Sequence, residues 1–406
     1  MASLYPFRAL RPRPADAAAV AAVPYDVVST EEAAALAGGN PLSFLRVSRA
    51  EIELPAGTDP YSRAVYDRAA QNFDALKKSA LVVEDAPSLY LYRLRAGTHE
   101  QTGVAACYAL DEYDRGVIKK HERTRRDKED DRTRHMLALR AQTGPVFLIY
   151  RARADIDQIV AEAAGAEPLI DFEAGDGVRH TIWRVNGGRC DRLIEAAGRI
   201  PALYIADGHH RAASAARARA QLPPGASSCA GADGSTFLAV AFPHNRVRIL
   251  PYNRIVKDLG GLSPADFLQA VRARFDLQKG PAMPAARGEI AMYLQGSWQT
   301  LRPRAQPNRA DRAASLDVTV LQDGLLAPVL KITDVGTDTR IEFVGGARGT
   351  DALERLVDSG RAAVAFSLFP VAADDLMAVT DAGGIMPPKS TWFEPKLRDG
   401  LLIHVI

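Results

Sequence analysis

The chain has 406 residues, 47% of them apolar and 25% charged, which excludes a disordered or fibrous protein and is too long for one ordinary core. Lys and Arg number 51 against 49 Asp and Glu, and a net charge of +2 is too balanced for bulk attraction to nucleic acid. Cys107, Cys190 and Cys229 lie far apart, so neither a disulfide framework nor a thiolate metal site is expected. The N-terminus lacks a basic segment followed by an apolar one, and residues 17–23 are too short to span a bilayer; a cytoplasmic protein without a membrane partner is expected.

A first segment, 1–150, opens with a Pro-rich lead and Val23-Pro24-Tyr25-Asp26-Val27, where Asp26 reads as a turn residue. Ser29 or Thr30 followed by Glu31 and Glu32 predicts a helix start, because the hydroxyl accepts first-turn N–H groups and carboxylates favour the positive end. Residues 61–78 read as an amphipathic helix, and 88–94 and 102–110 as strands of one sheet. Residues 119–134 contain no apolar side chain and read as a polar helix, either solvated and held by pairs such as Glu122 with Arg126, or facing a ligand. At 100° per residue, His121, Thr124, Arg125, Lys128, Asp131, Arg132 and His135 share one face, a mixed acid-base surface suited to a phosphorylated ligand or its metal. Glu122, Asp127, Glu129, Asp130 and Asp131 among the cations argue against a DNA-binding helix.

In the second segment, 151–260, strands are expected at 176–185 and 202–206. The apolar run Leu203-Tyr204-Ile205-Ala206 passes through Asp207-Gly208-His209-His210-Arg211 into an Ala-rich helix reaching about Leu222. A helix that begins there presents unpaired N–H groups and partial positive charge; with His209, His210 and Arg211 beside them, an anion such as phosphate is the expected ligand. The alternative is a tight turn in which Asp207 caps the helix. A loop at 223–228, a buried strand at 236–242, His244 as a turn residue and a strand at 247–250 follow, with Asn253 and Arg254 as further donors.

The third segment, 261–406, starts with a helix capped at Ser263-Pro264, and predicts a strand at 340–344, a helix at 351–358 and a strand at 362–368. Residues 345–350 read as a structural turn with Thr350 as cap. Residues 383–396 resemble a phosphate loop except that Pro388 stands where a Gly should precede Lys-Ser, and proline has no N–H to offer. What remains is Lys389, Ser390, Thr391 and Lys396, able to bind phosphate by side chain on a loop expected to reach the site, with Trp392 and Phe393 for packing or stacking.

The Asp207-Gly208-His209-His210-Arg211 turn resembles the phosphate-binding turn of the ParB/sulfiredoxin-like superfamily, and specifically that of the free serine kinases, which also reads Asp-Gly-His-His-Arg. Val23-Pro24-Tyr25-Asp26-Val27, His121-Glu122-Arg123-Thr124, residues 206–211 and residues 386–396 together resemble the bacterial and archaeal domain-of-unknown-function family one thousand and fifteen. The resemblance implies an α/β (α+β, mixed-sheet) protein, with a ParB/sulfiredoxin-like nucleotide-binding core at 151–260 flanked by α+β segments at 1–150 and 261–406. It implies a kinase carrying phosphate from ATP or ADP to a hydroxylated metabolite, L-serine becoming O-phosphoserine.

In that reading Gly208, His209, His210 and Arg211, with Lys389, Ser390, Thr391 and Lys396, hold the nucleotide. Asp207, His209 and His210 act in catalysis, with Glu122 or Glu31 as base. His121, Lys128, Arg132, Asn253 and Arg254 contact the substrate. Mg2+ arrives on the phosphates, and no residue is assigned as a metal ligand because no His-Glu-x-x-His, paired Cys or carboxylate cluster at metal spacing appears. Two alternatives stay open: a ParB-like nucleotide-binding or nucleotide-hydrolysing regulator, and a phosphatase that uses His209 or His210 as phosphate acceptor.

Overall fold

A computed structural model describes residues 2–222, 234–305, 307–308 and 311–406; the expected loop at 223–228 and Cys229 lie outside the described residues. The fold is mixed α+β, and the chain divides into two compact units, Met1–Val247 with Pro395–Ile406, and Arg248–Glu394.

The first unit is built on a nine-stranded mixed sheet in the order Ile118–Lys119, Leu203–Asp207, Val146–Tyr150, Thr236–Pro243, His99–Ala109, Leu89–Ala96, Val178–Val185, Ile170–Glu173, with Leu4–Tyr5 added to His99–Ala109. Leu89–Ala96 and His99–Ala109 form a hairpin, turning at Gly97, whose φ of 58° suits a residue without a side chain. Thr236–Pro243 is apolar at nearly every position because it is buried on both faces, parallel to Val146–Tyr150 on one side and antiparallel to His99–Ala109 on the other. Leu203–Asp207 runs antiparallel to Val146–Tyr150 and parallel to Ile118–Lys119.

This pairing explains why three consecutive segments do not describe the chain. Ile118–Lys119 and His99–Ala109 from the first expected segment lie beside Leu203–Asp207 and Thr236–Pro243 from the second, so one sheet joins both. The chain's last residues return to the same unit, with His404 paired to Gln142 and the Leu10 N–H donating to the Ile403 carbonyl at 3.0 Å.

The helix Thr30–Ala37 starts with a complete capping box between Ser29 and Glu32. Arg63–Ser79 buries Val65, Tyr66, Ala69, Phe73 and Leu76, the stripe expected of an amphipathic helix. The polar stretch differs from its expected form. Lys119 is held in the sheet opposite Tyr204, the chain is irregular until Arg125, and the helix runs only over Arg126–Leu139.

Nor is that helix solvated all round: Asp131, Thr133, His135, Met136 and Leu139 are buried. Tyr66 Oη donates to Asp131 Oδ1 at 2.9 Å, Ser214 Oγ to the Glu129 carbonyl at 3.1 Å, and Arg217 pairs with Glu129 and Asp130. Its acids therefore face partners on Arg63–Ser79 and His209–Arg219, which a helical wheel drawn on one segment cannot show.

The second unit carries a six-stranded antiparallel sheet, Phe275–Lys279, Ser297–Pro303, Ile290–Leu294, Val364–Leu368, Tyr252–Val256, Ile341–Gly345, over a core that includes Phe267, Phe275, Leu326 and Phe366. Ser263 caps Pro264–Arg272 by accepting the Asp266 N–H, and the expected helix is found at Asp351–Asp358. Thr350 makes no side-chain cap bond there. Among the described residues no helix is long and apolar enough to cross a membrane.

Candidate functional site

Because Ile118–Lys119 and Leu203–Asp207 are adjacent and parallel, their C-terminal ends open on the same side of the sheet, where ligands of mixed α/β sheets commonly bind. The first strand leads into His121-Glu122 and the second into Gly208-His209, which is why residues 88 positions apart meet. Gly208 has φ 91° and ψ 29°, and a Cβ placed there would lie 3.2 Å from both Cζ and Nε of Arg211. Glycine is thus required by backbone conformation and by the guanidinium packed against it. No side chain caps His209–Arg219, so the alternative role of Asp207 as cap is not taken up, and the first-turn N–H groups have no intrahelical partners.

The His209 and His121 rings meet edge to face with centroids 4.4 Å apart, and His209 Nε2 accepts the His121 N–H at 3.4 Å. His209 Nδ1 lies 4.0 Å from Glu122 Oε2. Burial pushes the His121 pKa down to about 4, against the opposing effects of the Ile205 carbonyl and Asp207, and pushes His209 well below its ordinary value. Both imidazoles are neutral at pH 7. One ligand atom each from His121, Glu122 and His209 lie within 4.8 Å of one another, a grouping able to hold a metal ion that no sequence spacing announces. His210 Nε2 accepts the Arg125 N–H at 3.1 Å and pins the irregular stretch before the charged helix.

Asp207 Oδ2 lies 3.3 Å from Lys396 Nζ and 3.5 Å from Arg211 Nη2. Burial raises its pKa, but Lys396 and Arg211 more than offset this and hold it well below the usual carboxylate range. Arg211 Nη1 donates to the Pro145 carbonyl, while its buried Nε and Nη2 have no hydrogen-bond partner. The side chain lines a cavity of about 40 Å³ together with Tyr25, Arg132, His135, Thr143 and Asp399.

Arg132 donates to Asp131 Oδ2 at 2.8 Å and stacks on the Tyr25 ring, 4.1 Å from its centroid. Burial raises Asp399 to about 7, with Arg211 opposing and Asp26 adding to the rise, and its Oδ1 is unpartnered. Asp399 is the residue that sequence reasoning missed: nothing around it carries a motif. Tyr25 stood in a noted motif but had no assigned role.

The other expected site residues are placed as follows. Lys128 Nζ donates to Tyr61 Oη at 2.7 Å. Glu31 accepts from Ser29 Oγ at 2.8 Å and belongs to the helix start. Asn253, Arg254, Lys389, Ser390 and Thr391 belong to the second unit. There Asn253 Oδ1 accepts the Leu368 N–H at 3.2 Å, and Ser390 Oγ donates to the Pro387 carbonyl. Arg254, whose pKa burial lowers to about 9 against the influence of Tyr252, donates to the Tyr252, Pro388 and Lys389 carbonyls and so braces the Pro-rich loop. Lys389 Nζ sits 5.5 Å from the centroid of the Tyr252 ring. His244 accepts the Ala152 N–H at 3.0 Å, as a turn residue would.

Among solved structures the chain is similar to a C-terminally truncated SbnI from Staphylococcus aureus, at 11% identity and TM-score 0.39, covering 74% of this chain and 87% of that one. It is similar to a conserved hypothetical protein from Pyrococcus furiosus, at 14% identity and TM-score 0.37, covering 75% and 95%. It is also similar to a free serine kinase solved with AMP and, as a variant, with ADP, at 14% identity and TM-score 0.36, covering 74% and 92%. No curated protein matches the chain. The family model described as a protein of unknown function (DUF1015) matches residues 4–319, and the chain belongs to that family.

Proposed function

We propose that the chain is a small-molecule kinase that transfers a phosphoryl group from ATP or ADP to a hydroxylated metabolite, with L-serine as the first substrate to test. The observation that carries this reading is the uncapped helix start at Gly208, where first-turn N–H groups and His209 adjoin buried, incompletely bonded Arg211. The choice of serine rests on the Asp207–Arg211 turn, whose residues match those of the free serine kinases.

The first-turn N–H groups of His209–Arg219 would hold the phosphates of a bound nucleotide, and Mg2+ carried by it would offset their negative charge. Asp207, held low by Lys396 and Arg211, is a poor proton acceptor near pH 7 and instead fixes those two cations. Asp399 is better matched, since a base works best when its pKa lies near the operating pH. Its carboxylate takes the hydroxyl proton as the substrate oxygen attacks the terminal phosphorus, and ADP or AMP departs. The cavity beside Asp399, about 40 Å³, has room for the end of a small metabolite and little more.

A phosphatase using a histidine as phosphate acceptor is less well supported for His210, whose Nε2 accepts the Arg125 N–H at 3.1 Å. The test is incubation of the full chain with ATP or ADP, Mg2+ and L-serine. O-phosphoserine is the expected product. Free phosphate alone would point to a nucleotide-hydrolysing regulator, and no turnover with serine or other small hydroxylated metabolites would overturn the kinase reading.

A further inference from the structure

We propose that His121, Glu122 and His209 form a site for a divalent first-row transition ion, with Zn2+ as the probe that reads it. The site goes beyond the kinase reading and does not depend on it, since its ligands and its test involve no nucleotide. Three observations carry it.

The first is geometry. One ligand atom from each residue lies within 4.8 Å of the others, and Glu122 Oε2 stands 4.0 Å from His209 Nδ1, too far for a hydrogen bond. Two ligands each about 2.1 Å from a tetrahedral ion stand roughly 3.4 Å apart, so a closure of about half an ångström completes the pair. Glu122 is half-buried, on the irregular stretch between Ile118–Lys119 and Arg126–Leu139. Ligation through Nδ1 moves the His209 ring proton to Nε2 and gives up the contact to the His121 N–H, at 3.4 Å the long end of hydrogen bonding.

The second is an orphaned atom. His121 is 3% exposed, and its Nδ1 is buried with no hydrogen-bond partner, a cost that a bound cation removes. The Ile205 carbonyl meets the His121 ring as well, the kind of backbone contact that fixes a ligating imidazole's tautomer.

The third is the chemistry of the ligand set. Two nitrogens and one carboxylate oxygen suit Zn2+, Mn2+, Fe2+ or Co2+ rather than Mg2+, which favours an all-oxygen shell. With His121 and His209 deep and Glu122 toward solvent, the remaining coordination positions open outward, where water or another oxygen ligand can exchange.

The test uses metal-free full-length chain titrated with Zn2+ by calorimetry, with Co2+ substitution to read the ligand field by visible absorption. One ion per chain is expected, together with a higher melting temperature. Glu122→Gln and His121→Asn should each weaken binding by roughly 10- to 100-fold or more. His99→Ala, a histidine outside the cluster, should bind as the unaltered chain does.

Glu122→Gln decides the matter if His121→Asn fails to fold, because Glu122 contributes least to packing. No binding, or binding that Glu122→Gln leaves unchanged, overturns the proposal and makes any bound ion adventitious. A Zn2+ site without phosphorylation of serine or any other small hydroxylated metabolite would sink the kinase reading alone, and phosphorylation without Zn2+ binding would sink this one alone.

Discussion

Asp207, half-buried, and Asp399, buried, both stand near Arg211, yet they move in opposite directions. Asp207 has Lys396 and Arg211 within 3.5 Å and stays ionised, whereas for Asp399 burial outweighs Arg211 and the carboxyl rises to about 7. Asp399→Asn should therefore lower kcat about 100-fold or more while leaving nucleotide affinity nearly unchanged, as measured by steady-state kinetics and direct binding.

The same substitution has a thermodynamic signature. A raised pKa means that the folded chain holds the Asp399 proton more tightly than the unfolded chain between pH of about 4 and 7, so the contribution is present at low pH and lost as pH rises through about 7. Asparagine does not titrate. The melting temperature of the variant should consequently gain on that of the unaltered chain between pH 5 and pH 8, and a gap that moves the other way would deny Asp399 its raised pKa.

At the scale of elements, the turn before His209–Arg219 depends on Gly208. Gly208→Ala should lower the unfolding free energy by about 1–2 kcal/mol from its left-handed backbone alone, with the Arg211 guanidinium, 3.2 Å from the new Cβ, displaced as well. Urea unfolding reads the stability; a neutral result would mean the turn relaxes freely. Ser29→Ala offers a comparison at a site without ligand chemistry, with an expected loss of about 1 kcal/mol from the broken capping box.

These two helix starts show what a local pattern can carry. The Ser29–Glu32 start was legible because every partner lies within one turn. Residues 119–134 were misread because their partners do not: Lys119 pairs across the sheet with Tyr204, and the acids of Arg126–Leu139 meet Tyr66, Ser214 and Arg217.

The whole molecule carries histidines that are neutral when folded. Burial lowers His135 to about 4, with Arg132 adding to the effect, and His180 to about 3, where Arg398 adds to it. The unfolded chain, with histidine near 6.5, binds more protons across that interval, so stability falls as pH drops from about 6.5 toward 4. Asp399 and Asp317, which burial raises to about 6, work in the opposite sense over part of this window, but two carboxyls stand against four imidazoles, His121 and His209 included. Thermal melts should show a falling midpoint between pH 7 and pH 4.5, and a midpoint that holds steady or rises would mean that these rings are already protonated in the fold.

By itself, the sequence determined the mixed α+β class, most strand and helix positions and the Asp207–Arg211 turn, because these follow from spacing and residue type over a few neighbours. Only the tertiary structure decided that one sheet draws strands from both expected N-terminal segments, that His121 and Glu122 stand beside His209, and that Lys396 meets Asp207 while Asp399 shares a cavity with Arg211. Parallel strand pairing joins segments that no local periodicity connects, and burial, which sets the charge of every group at the site, exists only once the distant segments have closed around it.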